Sequence, residues 1–348
     1  MKKSVVMALP VIAASVLLAS CGSNAGSATR DSIRAVGSST VYPFAKAVAE
    51  SLARSNPDIK SPIIESTGTG GGMKLFCAGL GAQHPDISNA SRRIKKSEFE
   101  ECQANGVNEV VEIQVGLDGI AFADAKRGQN LKLTPLIVYK AIAAKPFGKD
   151  QTAKTWKDVD PSLPTDRILV YGPPSTSGTR DALKELILEV GCSTDPAMKE
   201  LKKNDEDEFK KICTEVRNDG AYVDAGENDN LIVQKIEANP KAIGVFGFSY
   251  LEENADKLNG LAMNGVKPTY ETISNFSYPG ARPLYIYLKK AHLDAIPGLR
   301  QYVMEWTKSW GRGEMLAQAG MVVSPDDVRA KNLDNATKFT PMTGDDLK

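Results

Sequence analysis

Apolar residues in this chain alternate between two spacings. Short β-branched runs end in small polar residues, and apolar positions three and four apart follow each run. In DSIRAVGSSTVYPFAKAVAESLARSNP, residues 33–36 predict a strand. Val41, Phe44, Ala45, Val48 and Leu52 then share one face of a predicted helix, with the loop Gly37-Ser38-Ser39-Thr40 between. SPIIESTGTGGGMKLFCAG repeats the scheme with its loop at 67–72. PDISNASRRIKKSEFEEC repeats it again with a loop at 89–93. Strands alternating with helices predict α/β layers on parallel strands.

Further along, VVEIQVGLDGIAFAD is a run of strand formers interrupted by Gly116 and Gly119, placed where a chain would cross into a second domain. LTPLIVYKAIAAKP is β-branched, yet Thr134-Pro135 is a helix start with proline at the first position, so the segment reads as a helix. DRILVYGP predicts a strand that leads into PSTSGTRDALKEL, a hydroxyl-rich turn followed by helical spacing. Residues 193–225 are dense in both charges and read as a solvated helical insert. ENDNLIVQKIEANP predicts a helix, KAIGVFGFSYL a strand, ARPLYIYLKK a late strand returning to the first domain, and 297–320 an amphipathic helix.

The first twenty residues break the pattern. Lys2 and Lys3 precede an apolar run and then LLASC, which reads as a secretory leader whose apolar core is short for a stable membrane span. LLASC resembles a bacterial lipobox, which implies cleavage after residue 20 and acylation of Cys21, palmitate included. Residues 21–31 then form a flexible tether. The 348 residues carry 43 basic and 43 acidic side chains. This balance gives no basic excess for nucleic acid and no acidic tail. Five cysteines are odd in number for an exported chain. Setting Cys21 aside leaves four, which allow three pairings. Cys77–Cys102 and Cys192–Cys213 are favoured because each closes a local loop. No Cys/His clustering suggests a metal, no cofactor is expected, and His84 and His292 read as separate surface residues.

Four times, then, a strand ends in a small, donor-rich loop and a helix begins. Ligands of open α/β sheets bind at the carboxyl ends of strands, and helix N-termini offer free N–H groups and partial positive charge. Four such ends can converge on one small anion. GSST alone is also an ordinary cap. STGTGGGMK lets backbone approach a ligand closely, but it lacks both the nucleotide-loop lysine and the dinucleotide spacing. NASRR supplies Ser91 and the guanidinium of Arg92, suited to a tetrahedral oxyanion. In STSGTR, Ser177, Gly178 and Thr179 offer consecutive donors, and Ser175 and Thr176 take turn and capping roles. Arg180 sits just inside a helix start, a poor place for a cation unless an anion or a carboxylate such as Asp181 is close.

The order and spacing of VGSSTVYPF, STGTGGGMKLFC, DISNASRRI, DGIAFA, GPPSTSGTRDAL and GENDNLIVQKIEANPKAIGVFGFSYL resemble the periplasmic phosphate-binding proteins of phosphate-specific ABC transporters. The resemblance covers essentially the whole mature chain. It implies a two-domain, hinged type II periplasmic binding protein, a monomer with no catalytic residues that hands inorganic phosphate to membrane permease subunits. The expected location is the periplasm of a Gram-negative bacterium. The implied lobes are 32–117 with 282–340, and 118–281. The implied ligand residues are Ser39, Thr40, Thr69, Gly70, Ser91, Arg92, Ser177, Gly178 and Thr179, with Arg180 open. The better-known members carry an aspartate in the third loop, which accepts a proton that phosphate has and sulfate lacks. Ser91-Arg92 stands there in this chain, so Asp118 becomes the candidate acceptor, or alternatively a hinge-strand turn residue or partner of Arg92. The insert holding Cys192 and Cys213 is absent from compact members and reads as a surface elaboration. The alternatives are another oxyanion, sulfate or a phosphate ester, and a periplasmic phosphatase. The phosphatase would need a metal cluster or an activated nucleophile.

Overall fold

A computed structural model describes residues 30–175, 177–226 and 229–347. Cys21, the leader and nearly all of the tether lie outside the described residues. Strand β1 (Arg34–Gly37) lies between β2 (Ile63–Ser66) and β3 (Ile87–Ala90), all parallel. Helices α1 (Tyr42–Ser55), α2 (Thr69–Cys77) and α3 (Lys96–Ala104) follow these strands in turn, as the spacing predicts. A second parallel group joins β5 (Val170–Gly172) to β6 (Tyr222–Asp224) and to β7 (Ile243–Gly247).

Two long strands connect the groups. The crossover run forms one strand, β4 (Val110–Ala125), and the late run forms β9 (Ala281–Lys289). They pair antiparallel from Val110↔Lys289 to Gly119↔Ala281, with a register shift between Gln114 and Gly116. Beyond Gly119, β4 leaves β9 and pairs with β7 and with β8 (Leu258–Gly260). The resulting order is β2-β1-β3-β9-β4-β7-β5-β6. The parallel expectation therefore holds within each group, and the antiparallel pair is the bridge between them.

The two groups bury separate cores, giving two lobes. On the first, Phe44, Val48 and Leu52 of α1 pack with Tyr302 and Trp306 of helix Leu299–Ser309. On the second, Phe122, Tyr139, Trp156, Ile187, Phe209 and Phe246 share a core. Burying one such large side chain stabilises by roughly 1.5–3 kcal/mol. Both favoured disulfides form. Cys77–Cys102 ties α2 to α3, and Cys192–Cys213 ties the charged segment onto the second core, where Phe209 and Cys213 are fully buried.

Several local expectations change. The loop at 67–72 is shorter, because α2 already begins at Thr69. A Cβ on Gly72 would lie 2.5 Å from the Gly37 Cα, so this glycine serves close packing of α2 on β1. KAIGVFGFSYL is a strand only to Gly247, after which Phe248–Glu253 is helical. The region 297–320 contains two helices, Leu299–Ser309 and Met315–Gln318, and a further helix, Asp326–Lys338, packs against β4. His292 is buried, with Nδ1 2.6 Å from Asp86 and Nε2 accepting from Gly81 N at 3.4 Å, and the His84 ring lies against Gly79 in the same turn. The two histidines thus belong to one neighbourhood instead of two surface positions.

Candidate functional site

The loop after β1 divides its hydroxyls between two tasks. Ser38 is spent on the turn ahead of α1, whose N-cap is Val41: its carbonyl accepts from Tyr42 N at 3.0 Å, and its hydroxyl accepts from Val41 N at 3.3 Å. Ser39 and Thr40 are left to face the second lobe. There, the turn after β5 makes Ser177 the N-cap of helix Gly178–Ala182, with its hydroxyl accepting from Thr179 N at 3.2 Å. The capping role expected for Ser175 and Thr176 thus falls to Ser177. Thr176 lies outside the described residues.

These two loops meet directly. The Ser39 hydroxyl donates to Asp181, and Thr40 Oγ1 lies 3.2 Å from the Gly178 carbonyl oxygen. Gly178 packs so closely that a Cβ would come within 2.6 Å of the Thr40 Cα. Beside the contact is a cleft of about 400 Å³ lined by Ser39, Thr40, Asp118, Ser177, Gly178 and Thr179. Tyr42, Pro43 and Phe44 also line it. Asp229, Gly247, Ser249 and Tyr250, with Ala319 and Gly320, complete the lining.

Arg282 underlies the cleft, and the sequence reading missed it. It stands opposite Asp118 in the β4–β9 pairing and is 4 % exposed. Its Nε donates to Asp118 at 3.0 Å, Nη1 to Glu185 at 2.6 Å and Nη2 to Thr40 Oγ1 at 2.6 Å. A guanidinium can only donate, so Thr40 must accept here and direct its own proton elsewhere. Glu185 reaches Arg282 from a π-helical stretch, Leu183–Leu188, whose wider turn follows directly on the Gly178–Ala182 helix. The only sequence signal for Arg282 was one cation in the apolar alternation of ARPLYIYL.

The remaining anticipated residues sit apart from the cleft lining. Thr69 and Ser91 are buried and bonded to each other, with hydroxyls 3.1 Å apart and Ser91 N donating to Thr69 at 3.1 Å. Gly70 is exposed, with open space where a Cβ would sit. The Arg92 guanidinium is gripped by Glu98 at 2.9 and 2.7 Å. Asp118 partners Arg282 instead of Arg92. Arg180 lies 4.4 Å over the Tyr222 ring and donates to the Pro173 carbonyl at 2.9 Å. Tyr222 donates to the same carbonyl at 2.8 Å, and burial pushes its phenol up to about 12. Arg180 and Tyr222 thus brace the turn that presents Ser177–Thr179.

The arrangement offers hydroxyl and N–H donors from two lobes, a helix start, and carboxylate acceptors. Among the described residues no cluster of side chains could hold a metal ion, and no helix is long and apolar enough to cross a membrane. Residues 22–309 match the family described as the PBP superfamily domain. The chain belongs to that superfamily. Within it, SphX of Synechococcus elongatus is 38% identical over 76% of this chain and 70% of its own length. The phosphate-binding protein PstS of Staphylococcus epidermidis is 31% identical over 97% of this chain and 94% of its own. A crystal structure of a possible phosphate binding protein from Planctomyces limnophilus matches at a TM-score of 0.72 and 28% identity, covering 88% of this chain and 98% of the other. This PBP-superfamily chain thus shares its two-lobe α/β architecture with binding proteins.

Proposed function

We propose that the protein binds inorganic phosphate between its lobes and delivers it to an ABC-type importer. The observation that carries this reading is the meeting of Ser39 and Thr40 with Ser177, Gly178 and Thr179 around one cleft that also holds Asp118. The names of the relatives support the ligand. Donors from both lobes replace the hydration shell of the anion, and closure buries it. Asp118 accepts a hydrogen bond from a phosphate P–OH, which sulfate cannot offer near neutral pH, and Arg282 holds Asp118 and Thr40 in place for that contact. Thr69, Gly70, Ser91 and Arg92 act around the first-lobe loop and Arg180 through the second-lobe turn. The lobes run over 32–117 with 282–340 and over 118–281, with β4 and β9 as the hinge. Cys21 carries the lipid anchor and 21–31 the tether, so that a monomer works on the outer side of the cytoplasmic membrane. PstS relatives in Staphylococcus, which is Gram-positive, make that side the common requirement, and a Gram-negative periplasm is one case of it.

Titration calorimetry on protein freed of phosphate tests the reading. One phosphate per chain is expected, and absence of binding heat with retained native fold overturns it. A second reading is favoured by the aromatic wall of Tyr42, Phe44 and Tyr250 in a cleft larger than one tetrahedral ion. The ligand is then a phosphate monoester, and glycerol phosphate binding more tightly than phosphate in the same titration would select it.

A further inference from the structure

Two polar contacts join the loop after β1 to the helix start after β5, and a third ties the same stretch of chain to β9. The Ser39 hydroxyl donates to Asp181, Thr40 Oγ1 lies 3.2 Å from the Gly178 carbonyl oxygen, and Arg282 Nη1 donates to Glu185 at 2.6 Å. Each is made between protein groups. Asp181 and Glu185 stand four residues apart, with the wide π-helical turn from Leu183 beginning between them, and neither lines the cleft. Their side chains keep 35 % and 46 % exposure, so neither is needed to fill a core. A serine hydroxyl has one hydrogen, and Ser39 gives it to Asp181. Arg282 has Asp118 as its partner across the β4–β9 pairing, and Glu185 is the partner that arrives from the second lobe.

Contacts of this kind exist only while the lobes meet. They lower the free energy of the closed arrangement relative to the open one, and a bound ion leaves only after they break. The bonds to the two carboxylates are charge-assisted, and such bonds are stronger than neutral ones. We propose that Asp181 and Glu185 form a latch: they are positioning residues that hold the lobes together through Ser39 and Arg282, touch no ligand, and set the rate at which it is released. The latch slows release without aiding capture, which takes place in the open form. That the released ligand is phosphate rests on the reading above, whereas the latch rests on the contacts themselves.

Asp181→Ala combined with Glu185→Ala removes both arms of the latch, and Asp181→Asn combined with Glu185→Gln keeps their shape without the charge. The first measurement is dissociation of radiolabelled inorganic phosphate chased with unlabelled phosphate, joined to the affinity from titration calorimetry to give the on-rate. The alanine pair should raise the off-rate by at least about tenfold without lowering the on-rate, and the amide pair should fall between it and the unaltered protein. The second measurement is small-angle X-ray scattering of the phosphate-free full chain. There the alanine pair should show a larger radius of gyration than the unaltered protein, and the difference should close when phosphate is added. Thermal unfolding checks that each variant is folded, and the amide pair carries the test if the alanine pair is not. An off-rate within about twofold of the unaltered protein, or phosphate-free scattering that superposes on it, overturns the latch and leaves phosphate binding standing. If the unaltered protein binds no phosphate, the phosphate reading falls, and the phosphate-free scattering alone then decides the latch.

Discussion

Gly178 rests against Thr40, one on each lobe, so closely that a methyl group on Gly178 would sit 2.6 Å from the Thr40 Cα. No side-chain rotation can relieve that approach, because the atom met is backbone. Gly178→Ala therefore holds the lobes apart and leaves each core unchanged. Phosphate affinity should fall by at least about tenfold, roughly 1.4 kcal/mol, while the thermal midpoint moves by only a few degrees. Calorimetry beside thermal unfolding checks both.

Arg282 joins Asp118, Glu185 and Thr40 through three separate nitrogens. Lysine keeps the charge but not the planar fork. Arg282→Lys should weaken phosphate binding by about tenfold to a hundredfold, the cost typical of disturbing a buried charged pair, about 2 kcal/mol or more. Arg92→Ala removes a side chain committed to Glu98 and should change affinity by less than about threefold while costing about 1 kcal/mol of stability. A larger loss at Arg92 than at Arg282 would reverse the roles assigned to them.

Lys289 is buried over the Phe76 ring and donates to the Gly79 carbonyl at 2.6 Å. Burial lowers its pKa from 10.5 to about 7, against the attraction of Asp86 and with the help of Arg30. Below pH 7 the amine is protonated in both folded and unfolded chains, and the full penalty applies. Between pH 7 and 10.5 the unfolded chain binds the proton that the folded chain has released, so this group makes stability rise with pH across that window. Lys289→Met should raise the thermal midpoint near neutral pH and reduce that rise. Denaturant midpoints measured across the window report the slope.

Cys192–Cys213 closes a span of 21 residues and pins the charged segment to the second core. Chain-entropy reasoning assigns such a crosslink about 3 kcal/mol. Replacing both cysteines by serine should lower the thermal midpoint clearly and leave phosphate affinity within about twofold, because the crosslink does not line the cleft. Paired unfolding and binding curves test this.

The sequence made β1, α1, β3, the crossover and the second-lobe turn legible because each has a spacing that only one element satisfies. Ser39, Thr40 and Ser177–Thr179, which line the cleft, stood out in the sequence because their loops hold more donors than one cap uses. Arg282 did not, since its partners come from β4, the loop after β1 and the helix after β5, and no local pattern encodes that convergence. One glycine of α2 has a packing reason that no spacing reveals, because a Cβ on Gly72 would meet the backbone of Gly37. Thr69 and Ser91 satisfy one another, a pairing visible only once β3 lies beside β1.

The central claim is a phosphate site between the lobes guarded by Asp118. Its most direct test is phosphate titration at mildly acidic pH in a large excess of sulfate. One phosphate per chain with affinity unchanged by sulfate is the predicted result, with Asp118→Asn allowing sulfate to compete. Displacement of phosphate by sulfate from the unaltered protein would contradict the account.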